Sequence, residues 1–236
     1  HDFGTNDCQG GPLVDEPFWK VPVWNVFKNN WVNPSYGNGM NQPGCWYDYY
    51  VGNVHFIMLD GRTYRDLRPT DQSPPTMLGP VQTKWLKRTI KESSGVFTVL
   101  VSPVPWVFGA KGDSKDTWNG FKQERKEIFD VVKQSRKNGV LLMSADRHRS
   151  DLWKIQQAGM YPLYEFNSSR LTNQHVHPEM AGAEFSYNKK QSFGIVDFDT
   201  TTSDPKVEYR IINIDGKQIY SRQISRSEIT YDQKIK

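Results

Sequence analysis

Gly139-Val140-Leu141-Leu142-Met143-Ser144-Ala145-Asp146-Arg147-His148-Arg149-Ser150 is the stretch on which the reading of this chain turns. The run of Val, Leu, Leu and Met has the character of a strand buried on both faces of a sheet. It stops abruptly at Asp-x-His. Side chains of an extended strand alternate faces, so Asp146 and His148 are expected to leave its carboxyl end on the same side. A carboxylate oxygen and an imidazole nitrogen at that spacing make a metal chelate. An Asp–His hydrogen bond at a surface turn is the plainer alternative. Arg147 and Arg149 add positive charge that suits an anionic ligand.

Working outward, the segment before this strand predicts a helix from about Lys122 to Lys137. Ile128, Phe129, Val131 and Val132 form its buried set, and Asn138-Gly139 is its expected C-cap. Val96 to Val101 is an unbroken apolar run of the buried-strand type. A further helix is expected after Gly79-Pro80, with Val81, Trp85, Leu86 and Ile90 on one stripe. Before it, Trp46 to Val51, a Gly52-Asn53 turn and Val54 to Leu59 read as a two-residue hairpin. The second of those strands runs into a charged cluster, Asp60 to Asp66, placed where an α/β sheet presents its functional loops. Strand–helix–strand–helix–strand order predicts an α/β layered core. Beyond Trp153 the text is strand-like, ending in a hairpin at Asp215-Gly216. The last dozen residues, charged and polar, are expected to fray.

Thirty basic against twenty-six acidic residues give a formal charge of +4. This is too mild for a nucleic-acid binder, whose footprint is a dense basic face. No apolar run is long enough to cross a bilayer. Cys8 and Cys45 could pair in an oxidising compartment or pack as thiols, and they lack the paired spacing of a zinc site. His55 lies inside a strand and reads as a satisfied imidazole. His175-Val176-His177 repeats the one-residue spacing within a polar loop and reads as an adventitious cation binder. His1-Asp2 is the arrangement that fixes an imidazole tautomer and keeps the ring protonated, unless it is merely a solvated terminus.

Taken together, these blocks resemble the PhoD-type alkaline phosphatases of the calcineurin-like metallophosphatase superfamily. His1-Asp2-Phe3-Gly4-Thr5-Asn6-Asp7 is similar to the second half of the family's Trp-Asp-Asp-His-(Asp/Glu) block. Phe56 to Asp66 continues the match. So do Met77-Leu78-Gly79 with Gln82 and Trp85-Leu86, then Val101 to Trp106, then Asp116-x-Trp118-x-Gly120-Phe121 with Glu124-Arg125. Ser144-Ala145-Asp146-Arg147-His148 resembles its Ser-Gly-Asp-x-His block, and Glu165 to Ser169 and Phe193-Gly194 complete the series in family order. The resemblance implies a four-layer α-β-β-α sandwich over residues 1–225, the C-terminal part of a catalytic domain, followed by a polar tail over 226–236. It implies a bimetal centre, iron with calcium, that hydrolyses phosphate esters in a secreted or periplasmic protein.

On that pattern Asp146 and His148 are metal ligands. His1 contacts phosphate and protonates the leaving group, and Asp2 orients it. Arg62 or Arg65 steadies charge on the transferring group, unless both are strand-end arginines bridged to Asp60 and Asp66. Asn6 is expected to cap a turn. Two departures stand out. Ala145 replaces the family's Gly, which tests whether the backbone there needs positive φ. The upstream ligand blocks do not occur, so the chain is expected to be a fragment or processed product that binds metal poorly by itself. Phosphodiesterase action is the near rival within the class, and a non-catalytic relic of the same fold is the rival outside it. A nuclease lacks its basic tract.

Overall fold

Gly52, at φ +55°, turns the chain between two strands whose partners run Tyr47↔Met58 to Val51↔Val54, the hairpin expected there. The computed structural model describes residues 20–67, 74–172 and 174–231. In chain order these form α1 (Lys20–Asn30), β1 (Tyr47–Val51), β2 (Val54–Met58), α2 (Gly79–Glu92), β3 (Phe97–Val101), β4 (Ala110–Asp113), α3 (Lys122–Gln134), β5 (Val140–Ser144), β6 (Ser150–Ile155), β7 (Leu163–Ser168), β8 (Phe185–Tyr187), β9 (Ser192–Asp199), β10 (Lys206–Asn213) and β11 (Gln218–Ser225). The main sheet has seven strands in the order β1-β2-β3-β5-β7-β6-β8, and a second sheet has the order β11-β10-β9. The centre of the main sheet, β2-β3-β5-β7, is parallel; β1 and β6 run antiparallel at its two flanks, and β8 pairs antiparallel with β6. The α/β expectation is therefore met.

The faces of the main sheet follow from its register. Phe56 and Phe97 meet Phe198 of β9 at centroid distances of 5.9 and 5.6 Å, and Phe166 stacks on Tyr209 of β10 at 4.8 Å. The small sheet thus packs on that side. On the opposite side His55 bonds Ser93 just after α2, and Ser93 in turn bonds Thr98 of β3. His55 also reaches Asp48 at 2.9 Å, so it is the satisfied imidazole the sequence suggests. Among the described residues, then, a helical layer, the main sheet and the small sheet are accounted for. A further outer layer stays an expectation of the resemblance.

Several expectations shift by a residue or an element. The buried stripe of α2 is Gln82, Leu86, Thr89 and Ile90, with Val81 and Trp85 only half-buried. Gln82 is buried because its amide pairs with both backbone groups of Asp60, each at 2.8 Å. Helix α3 stops at Gln134, with Arg136 at φ +45°. Gly139 is left-handed (φ +71°) at the entry to β5, where a Cβ would lie 2.5 Å from the Val96 carbonyl oxygen. It is a close-approach glycine rather than a helix cap. The expected frayed tail is corrected too, for residues 226–231 dock. Ile229 is fully buried, its carbonyl accepts from Gly139 N at 2.8 Å, and Arg226 Nε donates to the Val96 carbonyl at 2.7 Å. A short helical turn over Arg226–Ile229 lets an apolar side chain reach the core, which the polar composition concealed.

Candidate metal and phosphate site

Strand β5 is held in parallel register by β3 on one side and β7 on the other, so its carboxyl end is fixed from both flanks. Two buried groups of β7 secure that end. Glu165 accepts the Ser144 hydroxyl and the backbone N–H groups of Trp106 and Val107, both at 2.9 Å. Burial pushes the Glu165 carboxyl up, and these donors work against that shift. Asn167 Nδ2 donates to Ser144 Oγ at 2.9 Å and to the Ala145 carbonyl at 3.0 Å.

Beyond Ser144 the chain is no longer extended. Asp146 (φ +64°) and His148 (φ +50°) are both left-handed, and Ala145 is not. Alanine in place of glycine is thereby explained: the unusual backbone lies on either side of Arg147. The alternation argument for the two side chains gives way to a tight turn. Left-handed non-glycine residues cost on the order of 1 kcal/mol or more each, so something must hold them. Ser169, just after β7, does so: its hydroxyl accepts from Arg147 N at 2.8 Å and from His148 N at 3.0 Å.

His148 Nδ1 lies 3.0 Å from the His175 carbonyl. A carbonyl only accepts, so Nδ1 carries a proton, which assigns the lone pair of the neutral ring to Nε2. The His175 and His177 rings stand 5.4 and 5.2 Å from that of His148. Burial first, and then the charge of Arg147, pushes His177 down to about 4, which leaves it neutral at physiological pH.

Asp146 is joined to the Asp60–Asp66 cluster through charge. Lys111 Nζ lies 3.7 Å from Asp146 Oδ2 and 2.8 Å from Asp116 Oδ2, while Asp116 Oδ1 accepts from Arg62 at 2.8 Å and Arg65 at 2.6 Å. Burial would raise the Asp116 carboxyl, but donation from Lys111 and Arg65 and the charge of Arg62 hold it well below the usual carboxylate range. The expected bridges from Arg62 and Arg65 to Asp60 and Asp66 are corrected in favour of Asp116. Asp60 instead accepts the backbone N–H groups of Cys45, Arg62 and Thr63 and the Thr63 hydroxyl. Arg62 and Arg65 are each 1% exposed, buried cations of this cluster.

Arg147 is 4% exposed, and burial, reinforced by Arg149, pushes its guanidinium down to about 10. Its Nε and Nη1 have no hydrogen-bond partner among the described residues. Arg149 pairs through Nε with Asp151 at 2.7 Å and through Nη2 with the Ala110 carbonyl at 3.2 Å, and its Nη1 is without a partner among the described residues. Beside Ser144 and Ala145, a mostly apolar cavity of about 540 Å³ opens at the strand ends, with Phe27, Trp31, Leu59 and Val101 in its wall.

The structure thus brings Asp146, His148 and Arg147 onto one turn and links them to Arg62 and Arg65 through Lys111 and Asp116. His1, Asp2, Asn6 and Cys8 lie outside the described residues, and Cys45 is buried. Sequence reasoning missed the roles of Ser169 and Lys111 and set aside His175 and His177. Only the repeated His-x-His spacing could have signalled the last two.

The profile of the family described as PhoD-like phosphatase matches residues 31–221. Alkaline phosphatase D of Bacillus subtilis (strain 168) is 30% identical over 120 residues, covering 43% of this chain and 21% of that protein. A solved structure described as "Structure of PhoD" superposes with a TM-score of 0.65 at 15% identity, over 95% of this chain and 52% of its own. At that identity the superposition speaks to fold alone. The chain spans about a fifth of the curated relative and about half of the solved one. On the extent of the profile match, the chain belongs to the PhoD-like phosphatase family.

Proposed function

We propose that the complete protein hydrolyses phosphate esters at a bimetal centre to which this chain contributes Asp146 and His148. The observation that carries the reading is the turn itself: two left-handed residues, one a carboxylate and one an imidazole with its proton fixed on Nδ1, pinned by a single hydroxyl at a strand end. Strain held in place at such a spot is characteristic of functional sites. The donors fit cations of two kinds, since carboxylate oxygen suits a calcium-like ion and imidazole an iron-like one. Bound cations supply Lewis-acid polarisation of the phosphoryl group and a hydroxide near neutral pH.

The remaining work falls to the chain's own groups. Arg147, with two unmatched donors one residue from each ligand, is the guanidinium suited to the phosphoryl oxygens. It takes the place first expected of Arg62 or Arg65, which instead position Asp116 and Lys111. His1 as leaving-group acid, Asp2 as its orienting partner and an exported location belong to the same proposal. The family relationship and the alkaline phosphatase D relative support the reaction class.

The test is hydrolysis of p-nitrophenyl phosphate and bis-p-nitrophenyl phosphate by the complete protein, with and without chelator. Chelator-sensitive turnover is expected, and Asp146→Asn and His148→Ala should each lower it by at least about a hundredfold. Activity that survives chelation, or wild-type rates in either variant, would overturn the reading.

A further inference from the structure

We propose that His148, His175 and His177 form a three-imidazole site for a borderline divalent cation of the zinc type. One ring nitrogen from each lies within 4.8 Å of the other two. Nitrogens around a tetrahedral ion, bonded at about 2.0–2.1 Å, stand about 3.3 Å apart, so small side-chain rotations close the set. His175 and His177 come from one loop and His148 from the β5 turn, which makes the cluster a tertiary arrangement rather than a run of neighbours.

Three further features suit coordination. The His148 Nδ1–H bond to the His175 carbonyl fixes the tautomer and aims the Nε2 lone pair, the outer-shell contact that metal-bound histidines commonly make. The His177 carbonyl accepts from Asn188 Nδ2 at 2.7 Å, and Met180 N donates to Ser186 Oγ at 3.0 Å, whose hydroxyl in turn donates to buried Asp151 at 2.6 Å. The loop is thereby tied to the main sheet. His175 is exposed, so an ion can enter from solvent. Three imidazole nitrogens favour zinc, iron, nickel or copper over calcium, which takes oxygen ligands. A fourth position is left for water or a phosphoryl oxygen.

One Nε2 carries one metal, so this ion is the one that the proposed centre assigns to His148; in that respect the inference rests on the preceding reading and adds His175 and His177 as ligands. The experiment is titration of the complete protein with Co2+, read by its visible d–d absorption, for wild type, His175→Ala, His177→Ala and the double variant. Each single variant is expected to bind at least about tenfold more weakly and to lose the intensity of a tetrahedral spectrum. Metal-free thermal unfolding at the wild-type midpoint shows that the variants are folded. For any variant that unfolds early, the conservative His177→Gln is titrated instead. Equal Co2+ affinity in wild type and the double variant overturns the site. If that equality is found while chelator still abolishes hydrolysis, the site fails and the phosphatase reading stands. If Co2+ binding depends on both histidines while hydrolysis resists chelation, the reverse holds.

Discussion

Asp116 carries the charge balance between the Asp60–Asp66 cluster and the Asp146 turn. Its carboxylate receives two buried guanidinium groups and one ammonium. Removing one partner of a buried ion pair leaves the others desolvated and uncompensated. Asp116→Ala is therefore expected to destabilise the fold by about 3 kcal/mol, measured by urea unfolding at pH 7. The pH dependence has a definite sign. A carboxyl held below its unfolded value stabilises the fold above that value, near pH 4, and loses the contribution as pH falls towards its folded value. Wild type should thus lose stability faster than the variant below about pH 4; parallel acid limbs would show that the cluster contributes nothing. At this scale the sequence was only partly legible. Asp146, His148 and the positive charge of Arg147 could be read because they are consecutive. The partner of Arg62 and Arg65 could not, because it lies 54 and 51 residues away. Ser169 was visible only as one more residue of a block.

Strands and helices were the most legible level, and their failures were local. Pattern reading found β2, β3, β5 and α3 because apolar runs and helical periodicity are burial signals. It misplaced the end of α3 because a glycine after a helix resembles a cap, whereas Gly139 serves the close approach of β5 to the chain before β3. A side chain there meets both a left-handed backbone and a carbonyl oxygen at 2.5 Å. Gly139→Ala should cost more than about 3 kcal/mol, the upper end for a strained backbone position, because the methyl group also meets the carbonyl oxygen. A cap glycine would cost only about 1 kcal/mol. A loss of that smaller size, with β5 amide exchange unchanged, would favour the cap.

For the molecule as a whole, composition hid how far the fold extends. The charged text after Ser225 offers no apolar period, yet Ile229 is completely buried and its backbone joins the entry to β5. Ending the chain after Ser225 should lower stability by at least about 2–5 kcal/mol, the usual loss for a buried aliphatic side chain, with a matching drop in the denaturation midpoint. An unchanged midpoint would return those residues to the status of a tail. The fold class was legible because alternating strands and helices leave few topologies. The full ligand set was not, because a site assembled from several strand ends is written in distant stretches of text.

The Ser169 hydroxyl has a bearing on the order in which the site is made. It follows β7 and grips backbone 22 and 21 residues earlier, a contact that exists only after a parallel strand has docked beside β5. Such non-local pairings form late. The backbone of the aspartate and histidine is therefore gripped only in a chain whose β7 lies beside β5, so the capacity to capture an ion is tied to that pairing.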